Sequence, residues 1–182
     1  MPTILSHPPV PLATRLGLGK TVVSGRLLTL AVFSSMLPDV DVIGFWRAVP
    51  YGSAVGHRGF THSLTFAALL GLAAVPLAGR LRSSRLKTFL VIFASAASHG
   101  LLDALTDGGL GIGLLIPFSM RRFFAPWRPI VVSPLSITGF LNSRAPAVLR
   151  SELLYVWLPC LLVGGCLWGV RRWRRRSGRV EA

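Results

Sequence analysis

Five apolar segments, separated by more polar connections, run along the chain. They cover residues 10–18, 27–37, 63–79, 86–105 and 153–170. An apolar run of about 20 residues is long enough to cross a bilayer as a helix, and a helix satisfies its own backbone hydrogen bonds there. The pattern predicts an all-α fold, a polytopic membrane helical bundle of about four to five helices.

The first two segments predict a helical hairpin. Pro9 and Pro11 suit the first turn of a helix, where a backbone N–H has no partner to lose, and Lys20 suits the turn between the two arms. Such a hairpin brings His7 to the level of the turn at 38–41. The first arm is shorter than the ~20 residues of a full span, which leaves open whether it crosses the bilayer or dips into it.

The composition favours a membrane protein over a nucleic-acid-binding protein. Apolar residues make up 52% of the chain and charged residues 14%, whereas about a quarter of a soluble domain is charged. The formal net charge of +14 would suit nucleic acid in a polar chain. Here, however, the basic residues cluster between apolar segments, as in membrane proteins. We expect the lipid bilayer as a partner and no nucleic acid.

The basic residues also predict an orientation. Thirteen of the twenty lysines and arginines lie in 15–26, in 80–87 and after 170, and the positive-inside rule places such connections in the cytoplasm. We predict a multipass membrane protein with its candidate site facing outward and its C-terminus in the cytoplasm. Residues 1–170 would form the membrane-embedded domain, and 171–182 would form a basic cytoplasmic tail. The pattern does not set the oligomeric state.

Metal-capable side chains gather on the opposite, outward side. All four histidines and four of the six acidic residues lie just before, just after or inside an apolar segment. Imidazole and carboxylate groups are ligands of zinc and, with more oxygen donors, of manganese. We predict a site for one to two divalent metal ions, with zinc favoured. Its predicted ligands are His7, Asp39, Asp41, His62, His99 and Asp103.

The pair His99 and Asp103 gives the strongest local signal. Residues four apart share one helix face, and ionisable residues inside a membrane span are costly enough to mark function. The alternative is that the two side chains only pair with each other inside the bundle. Asp39 and Asp41 follow Pro38 in a turn, and their alternative role is ordinary turn chemistry.

Three further residues are predicted to support the ligands from a second shell. His57 lies with His62 at the entrance of the third apolar segment, although it could instead cap that helix at the membrane interface. Asp107 continues the helix face of His99 and Asp103. Glu152 is either a charge at a helix end or a partner of a ligand histidine.

Arginines and aromatic residues are interleaved in the outward connection 108–151. Arg121, Arg122 and Arg128 are predicted to hold an anionic substrate, because guanidinium groups bind phosphate in a bidentate manner. The alternative is anchoring at the lipid interface, where arginines and aromatic rings are common.

Three motifs resemble those of a known family. The sequences LPDVD at 37–41, GHRGFTHS at 56–63 and SHGLLDALT at 98–106 are similar to motifs of the YdjM/YbcI-like inner-membrane proteins of bacteria. These proteins are described as membrane-bound metal-dependent hydrolases, and the likeness runs from position 7 to about 134. That family is in turn similar to the zinc-dependent phospholipase C and P1 nuclease superfamily, which consists of all-helical enzymes.

The resemblance implies how the ligands divide between two ions. It places His7 on one ion and makes Asp103 a bridge between both. The other ion would take His62, His99 and one of Asp39 and Asp41. No histidine follows position 99, so the ligands of the superfamily's third zinc are missing and two ions are the most that fit.

The predicted function is hydrolysis. A metal-dependent hydrolase would cleave a phosphoester or related ester, in a lipid-linked or phosphorylated substrate, through water activated by the metal. Asp39 or Asp41, whichever does not bind metal, would orient that water as the catalytic carboxylate. The alternative is a non-enzymatic membrane protein that binds metal or uses these residues as an ion or proton pathway.

Overall fold

The computed structural model describes residues 1–134, 137–140 and 144–177, and these residues form helices without β-strands. The α-helices are α1 (Pro9–Leu18), α2 (Gly25–Met36), α3 (Ile43–Trp46), α4 (Leu64–Ala74), α5 (Arg85–Ala104), α6 (Ile137–Gly139), α7 (Ala145–Glu152) and α8 (Leu158–Ser177). Short 3₁₀ turns lie at Ile4–Ser6, Leu37–Val42, Phe60–His62 and Val75–Leu77. The predicted all-α fold is confirmed.

The helices α1 and α2 form the predicted hairpin. Ser24 begins α2, and its Oγ accepts a hydrogen bond from the backbone N–H of Leu27 at 3.1 Å. The turn lies beside the connection between α4 and α5, where Arg26 donates to the carbonyl of Arg80 at 2.9 Å. The helix α1 has ten residues and packs mainly against α8.

The central helix is α5, which packs against both α2 and α4. Leu27 and Ala31 of α2 form a buried core with Ile92 of α5. Ser63 caps α4, because its Oγ accepts from the backbone N–H of Phe66 at 3.0 Å. This packing fixes the ends of the three helices relative to one another.

Three helical stretches are long and apolar enough to cross a membrane: Gly25–Trp46, Arg85–Ala104 and Ala145–Ser177. The first continues from α2 through the Leu37–Val42 turn into α3. α4 and the turn after it form a shorter apolar helix, Leu64–Leu77. Of the five predicted helical passes, three therefore have the length of a full span, and α1 and α4 are shorter.

The connection predicted at 108–151 is partly helical, since it contains α6 and most of α7. A π-helical turn, Leu153–Trp157, links α7 to α8. α8 then continues to Ser177, so Arg171 and the arginines after it extend the helix beyond the apolar segment. Arginine is a good helix former. Residues 178–182 of the predicted tail lie outside the described residues.

Candidate metal centre

The fold brings four predicted ligands together at one end of the bundle. Asp39 lies in the turn after α2, His62 in the turn before α4, and His99 and Asp103 in the last turns of α5. One donor atom from each lies within 4.8 Å of the others. His99 Nε2 is 3.1 Å from His62 Nε2 and 3.2 Å from Asp39 Oδ1. All four residues are buried.

Gly100 allows α5 to approach the turn that carries His62. A Cβ atom built on Gly100 would lie 2.5 Å from the carbonyl oxygen of His62, which is closer than real Cβ contacts. That oxygen belongs to the backbone and cannot rotate away. The glycine beside His99 is therefore needed to bring the two imidazoles into one site.

Hydrogen bonds on the far side of each ring orient both imidazoles. His99 Nδ1 lies 2.7 Å from the backbone carbonyl oxygen of Ser35, so this nitrogen carries the hydrogen and donates. His62 Nδ1 lies 3.2 Å from Asp41 Oδ2. In both cases Nε2 is left facing the cluster, and a partner of this kind fixes the tautomer of many metal-binding histidines.

Asp41 has hydrogen-bond partners on both carboxylate oxygens. Its Oδ1 accepts from His57 Nδ1 at 2.6 Å, and its Oδ2 accepts from Thr61 Oγ1 at 2.6 Å and from the backbone N–H of Arg58 at 3.2 Å. Asp41, His57 and His62 also form a donor set within 4.8 Å. In this geometry, Asp41 orients His62 and is itself held by His57.

His7 lies at the edge of the cluster. Its Nε2 is 3.7 Å from Asp39 Oδ2, and its ring stacks on that of His99 with centroids 3.6 Å apart. Burial, with a smaller contribution from His99, lowers the pKa of His7 to about 3. The imidazole is therefore neutral at physiological pH, with a lone pair available.

Several donor atoms in the cluster lack hydrogen-bond partners. They are both carboxylate oxygens of Asp39 and of Asp103 and both ring nitrogens of His7. Buried polar atoms without partners are costly and rare, and a cation at this point would satisfy those that face it. Burial opposes protonation of His62, but the nearby carboxylates of Asp103, Asp39 and Asp41 outweigh it and raise its pKa. The residues thus fit a divalent ion, which would replace that proton.

Arg58, which the sequence analysis did not single out, lies inside the cluster. Its side chain is fully buried, and its Nε is 3.2 Å from Asp103 Oδ2. The guanidinium also donates to the carbonyl of Gly108 at 2.8 Å and to Thr106 Oγ1 at 2.9 Å. The feature of the sequence that could have identified Arg58 is its position as a charged residue between His57 and His62 in one motif.

Of the three residues predicted to support the ligands, only His57 does so. Glu152 and Asp107 have other contacts. Glu152 is buried and accepts from Thr3 Oγ1 at 2.7 Å. Its carboxylate oxygens bond to Thr3 rather than to a histidine. Asp107 is exposed and accepts from the backbone N–H of Val132 at 2.8 Å. These two acids connect loops and chain segments around the centre.

The three predicted anion-binding arginines differ in their surroundings. Arg122 donates to backbone carbonyls on both sides of the 56–63 motif, including those of Ser53 at 3.0 Å and Gly111 at 3.2 Å. These contacts occupy its guanidinium group. Arg121 and Arg128 are exposed and lie over the rings of Phe123 and Phe124 at 5.4 and 4.8 Å.

Comparisons with known proteins agree with the membrane assignment. A sequence model of the family described as YdjM inner membrane protein matches residues 1–176. The chain is 45% identical over 177 residues to the inner membrane protein YbcI of Escherichia coli (strain K12), covering 97% of this chain and 100% of that protein. No solved structure matches, so the distant similarity to zinc-dependent phospholipase C and P1 nuclease stays a prediction. The chain belongs to the YdjM family of inner membrane proteins.

Proposed function

We propose that the protein is a membrane-embedded, metal-dependent hydrolase of a phosphoester or related ester. This proposal rests on one observation. Carboxylate oxygens without hydrogen-bond partners lie beside two imidazoles whose orientation is fixed. The names of the matched family and of the matched relative state no enzymatic activity, so the proposal rests on the chemistry of the cluster.

The residues of the cluster would have different roles in such a site. Asp39, His62, His99 and Asp103 would hold the ion, zinc or manganese, with His7 beside them. A bound divalent ion polarises the substrate and lowers the pKa of water. Asp39 has two unpartnered oxygens, so the oxygen that does not hold the ion can accept a proton from the attacking water.

The substrate would approach from the outward face of the membrane. The basic connections lie at the other end of the bundle, which the positive-inside rule assigns to the cytoplasm. Arg121 and Arg128 form no salt bridge with the described residues, and their guanidinium groups can meet a phosphoryl group of a lipid-linked substrate. Arg122 would act indirectly, by holding the backbone of the motif.

A second candidate is a non-enzymatic membrane protein that binds metal. It is favoured by the closure of the site: His7, His99 and Asp103 each have 0% of their surface exposed. Structural metal sites are closed, whereas catalytic sites keep an open coordination position. A hydrolase would need the 56–63 motif or the segment around His7 to move before substrate reaches the ion.

One experiment separates these possibilities. Detergent-purified protein is analysed for bound metal, loaded with zinc or manganese, and screened against phosphomonoester, phosphodiester and lipid phosphate substrates. Asp103→Asn is compared with Asp107→Asn, a matched control four residues further along the chain.

The outcomes of this experiment separate three roles. Metal content and hydrolysis that are lost in a folded Asp103→Asn protein and kept in Asp107→Asn support the hydrolase. Metal binding with no hydrolysis in any substrate class favours the second candidate. A folded protein that cannot bind zinc or manganese excludes both and favours an ion or proton pathway.

A further inference from the structure

A groove lies between α1 and α8, well away from the metal centre. It has a volume of about 380 Å³ and is lined mostly by apolar side chains of the two helices, among them Ala13, Leu18, Val163 and Leu167. Val163 and Leu167 are exposed. The groove is therefore open and apolar, and it lies on the membrane-facing side of the bundle.

A basic cavity continues this groove. The cavity has a volume of about 390 Å³, shares Leu18 and Leu167 with the groove, and is also lined by Arg171, Arg174 and Arg175. Arg171 is anchored, because its Nη1 donates to the carbonyl of Gly17 at 2.6 Å. Arg174 and Arg175 are exposed and form no salt bridge with the described acidic residues.

The length of the groove matches one leaflet of a bilayer. Pro159 lines one end of the groove and Arg171 the start of the basic cavity. The rise along α8 between them is about 18 Å at ~1.5 Å per residue. One leaflet contributes half of the ~30 Å hydrocarbon core, or about 15 Å. An acyl chain in the groove would therefore leave its headgroup beside the arginines.

We propose that this groove binds one anionic phospholipid, with an acyl chain along α1 and α8 and the phosphate on Arg174 and Arg175. Guanidinium groups bind phosphate oxygens through charge-assisted, bidentate hydrogen bonds, and basic pockets between membrane helices bind anionic headgroups. A zwitterionic lipid would bring its own cation to the site and lose this advantage. The proposal does not depend on the metal centre or on hydrolysis.

The test measures lipid-dependent stability of the full chain. Phosphatidylglycerol or phosphatidylcholine with the same acyl chains is added to protein in a neutral detergent, and Tm is recorded. Arg174→Gln/Arg175→Gln is compared with Arg172→Gln/Arg176→Gln, which removes the same charge from the same helix. Arg172 lies over the ring of Trp168 at 5.4 Å and does not line the basic cavity.

We expect phosphatidylglycerol to raise Tm of the wild type more than phosphatidylcholine does. The control variant should keep this difference. In Arg174→Gln/Arg175→Gln, the affinity for phosphatidylglycerol should fall about tenfold or more because two charge-assisted contacts are lost. Val163→Trp, which fills the groove without changing charge, should also reduce the difference.

Three results would overturn the proposal. The first is an equal effect of the two lipids on the wild type, and the second is an unchanged effect in the Arg174→Gln/Arg175→Gln variant. The third is a Tm increase of the same size with inorganic phosphate alone, which would show an anion site without a lipid. Native mass spectrometry adds a direct readout, because one anionic lipid per chain should remain bound to wild type and control.

Discussion

Arg58 Nε lies 3.2 Å from Asp103 Oδ2, and both side chains have 0% of their surface exposed. A buried carboxylate with a cation beside one oxygen keeps its other oxygen for a second positive group. The candidate metal centre thus includes an ion pair between two buried side chains. We expect this pair to be essential for stability, because removing one partner leaves an uncompensated buried charge.

Arg58→Met tests this ion pair. The variant should lose about 3–5 kcal/mol of unfolding free energy, measured by denaturant unfolding in detergent, and Arg58→Lys should lose less because it keeps the charge. The exposed Arg128→Met is the control and should change stability by less than about 0.5 kcal/mol. An Arg58→Met protein as stable as the wild type would contradict the assigned role.

Gly100→Ala tests the close approach of α5 to His62. The added Cβ would lie 2.5 Å from the carbonyl oxygen of His62, so the helix and the turn must separate. We expect a loss of about 1–3 kcal/mol together with a lower metal content.

Gly165→Ala is the matched control, because its Cβ would meet nothing within 4 Å on another helix of the bundle. Alanine there should be neutral or stabilising by up to about 1 kcal/mol. If both variants lose the same stability, the effect comes from general helix packing and not from the metal centre.

Asp41→Asn distinguishes an orienting carboxylate from a metal ligand. If Asp41 only orients His62, the substitution should lower metal affinity about 10–100-fold, measured by competition with a chelator of known affinity. Asp39→Asn, which changes a carboxylate with two unpartnered oxygens, should lower it much further. Equal, complete loss of binding in both variants would identify Asp41 as a direct ligand.

The orientation in the membrane can be measured by cysteine labelling. Cys160 and Cys166 are unpaired and are first replaced by alanine. A cysteine at Val55, which is 69% exposed, should react with an impermeant reagent from outside the inner membrane. A cysteine at Ser177 should react only from the cytoplasm. The reverse labelling pattern would invert the orientation that the basic connections predict.

Hydropathy was sufficient to locate the main helices. The predicted segment 86–105 corresponds to Arg85–Ala104 and the segment 10–18 to Pro9–Leu18, since a span must supply both apolar surface and satisfied backbone groups. The helix α7 was not predicted. Its mixed composition gives little apolar signal, and its end is fixed by the contact of Glu152 with Thr3, which lies 149 positions away in the chain.

From residue types alone, the side chains that meet at the candidate metal centre could be predicted. The individual contacts of each side chain could not be predicted as well. His99 and Asp103 could be placed on one helix face from their spacing. By contrast, the partners of Asp41 and Arg122 depend on how the 51–63 segment folds back on itself, with Arg122 donating to the carbonyl of Ser53 at 3.0 Å. Such backbone acceptors leave no mark on side-chain patterns, because every residue type carries a carbonyl.

The contact between Thr3 and Glu152 has a consequence for how the centre is assembled during synthesis. Thr3 Oγ1 donates to Glu152 at 2.7 Å, and the segment that Glu152 holds leads directly into His7. His7 precedes the other three histidines in the sequence, whereas Glu152 follows all of them. The contact that holds the segment leading into His7 can therefore form only after α7 has been synthesised. A chain that stops before α7 would hold the other candidate ligands without this anchor for His7.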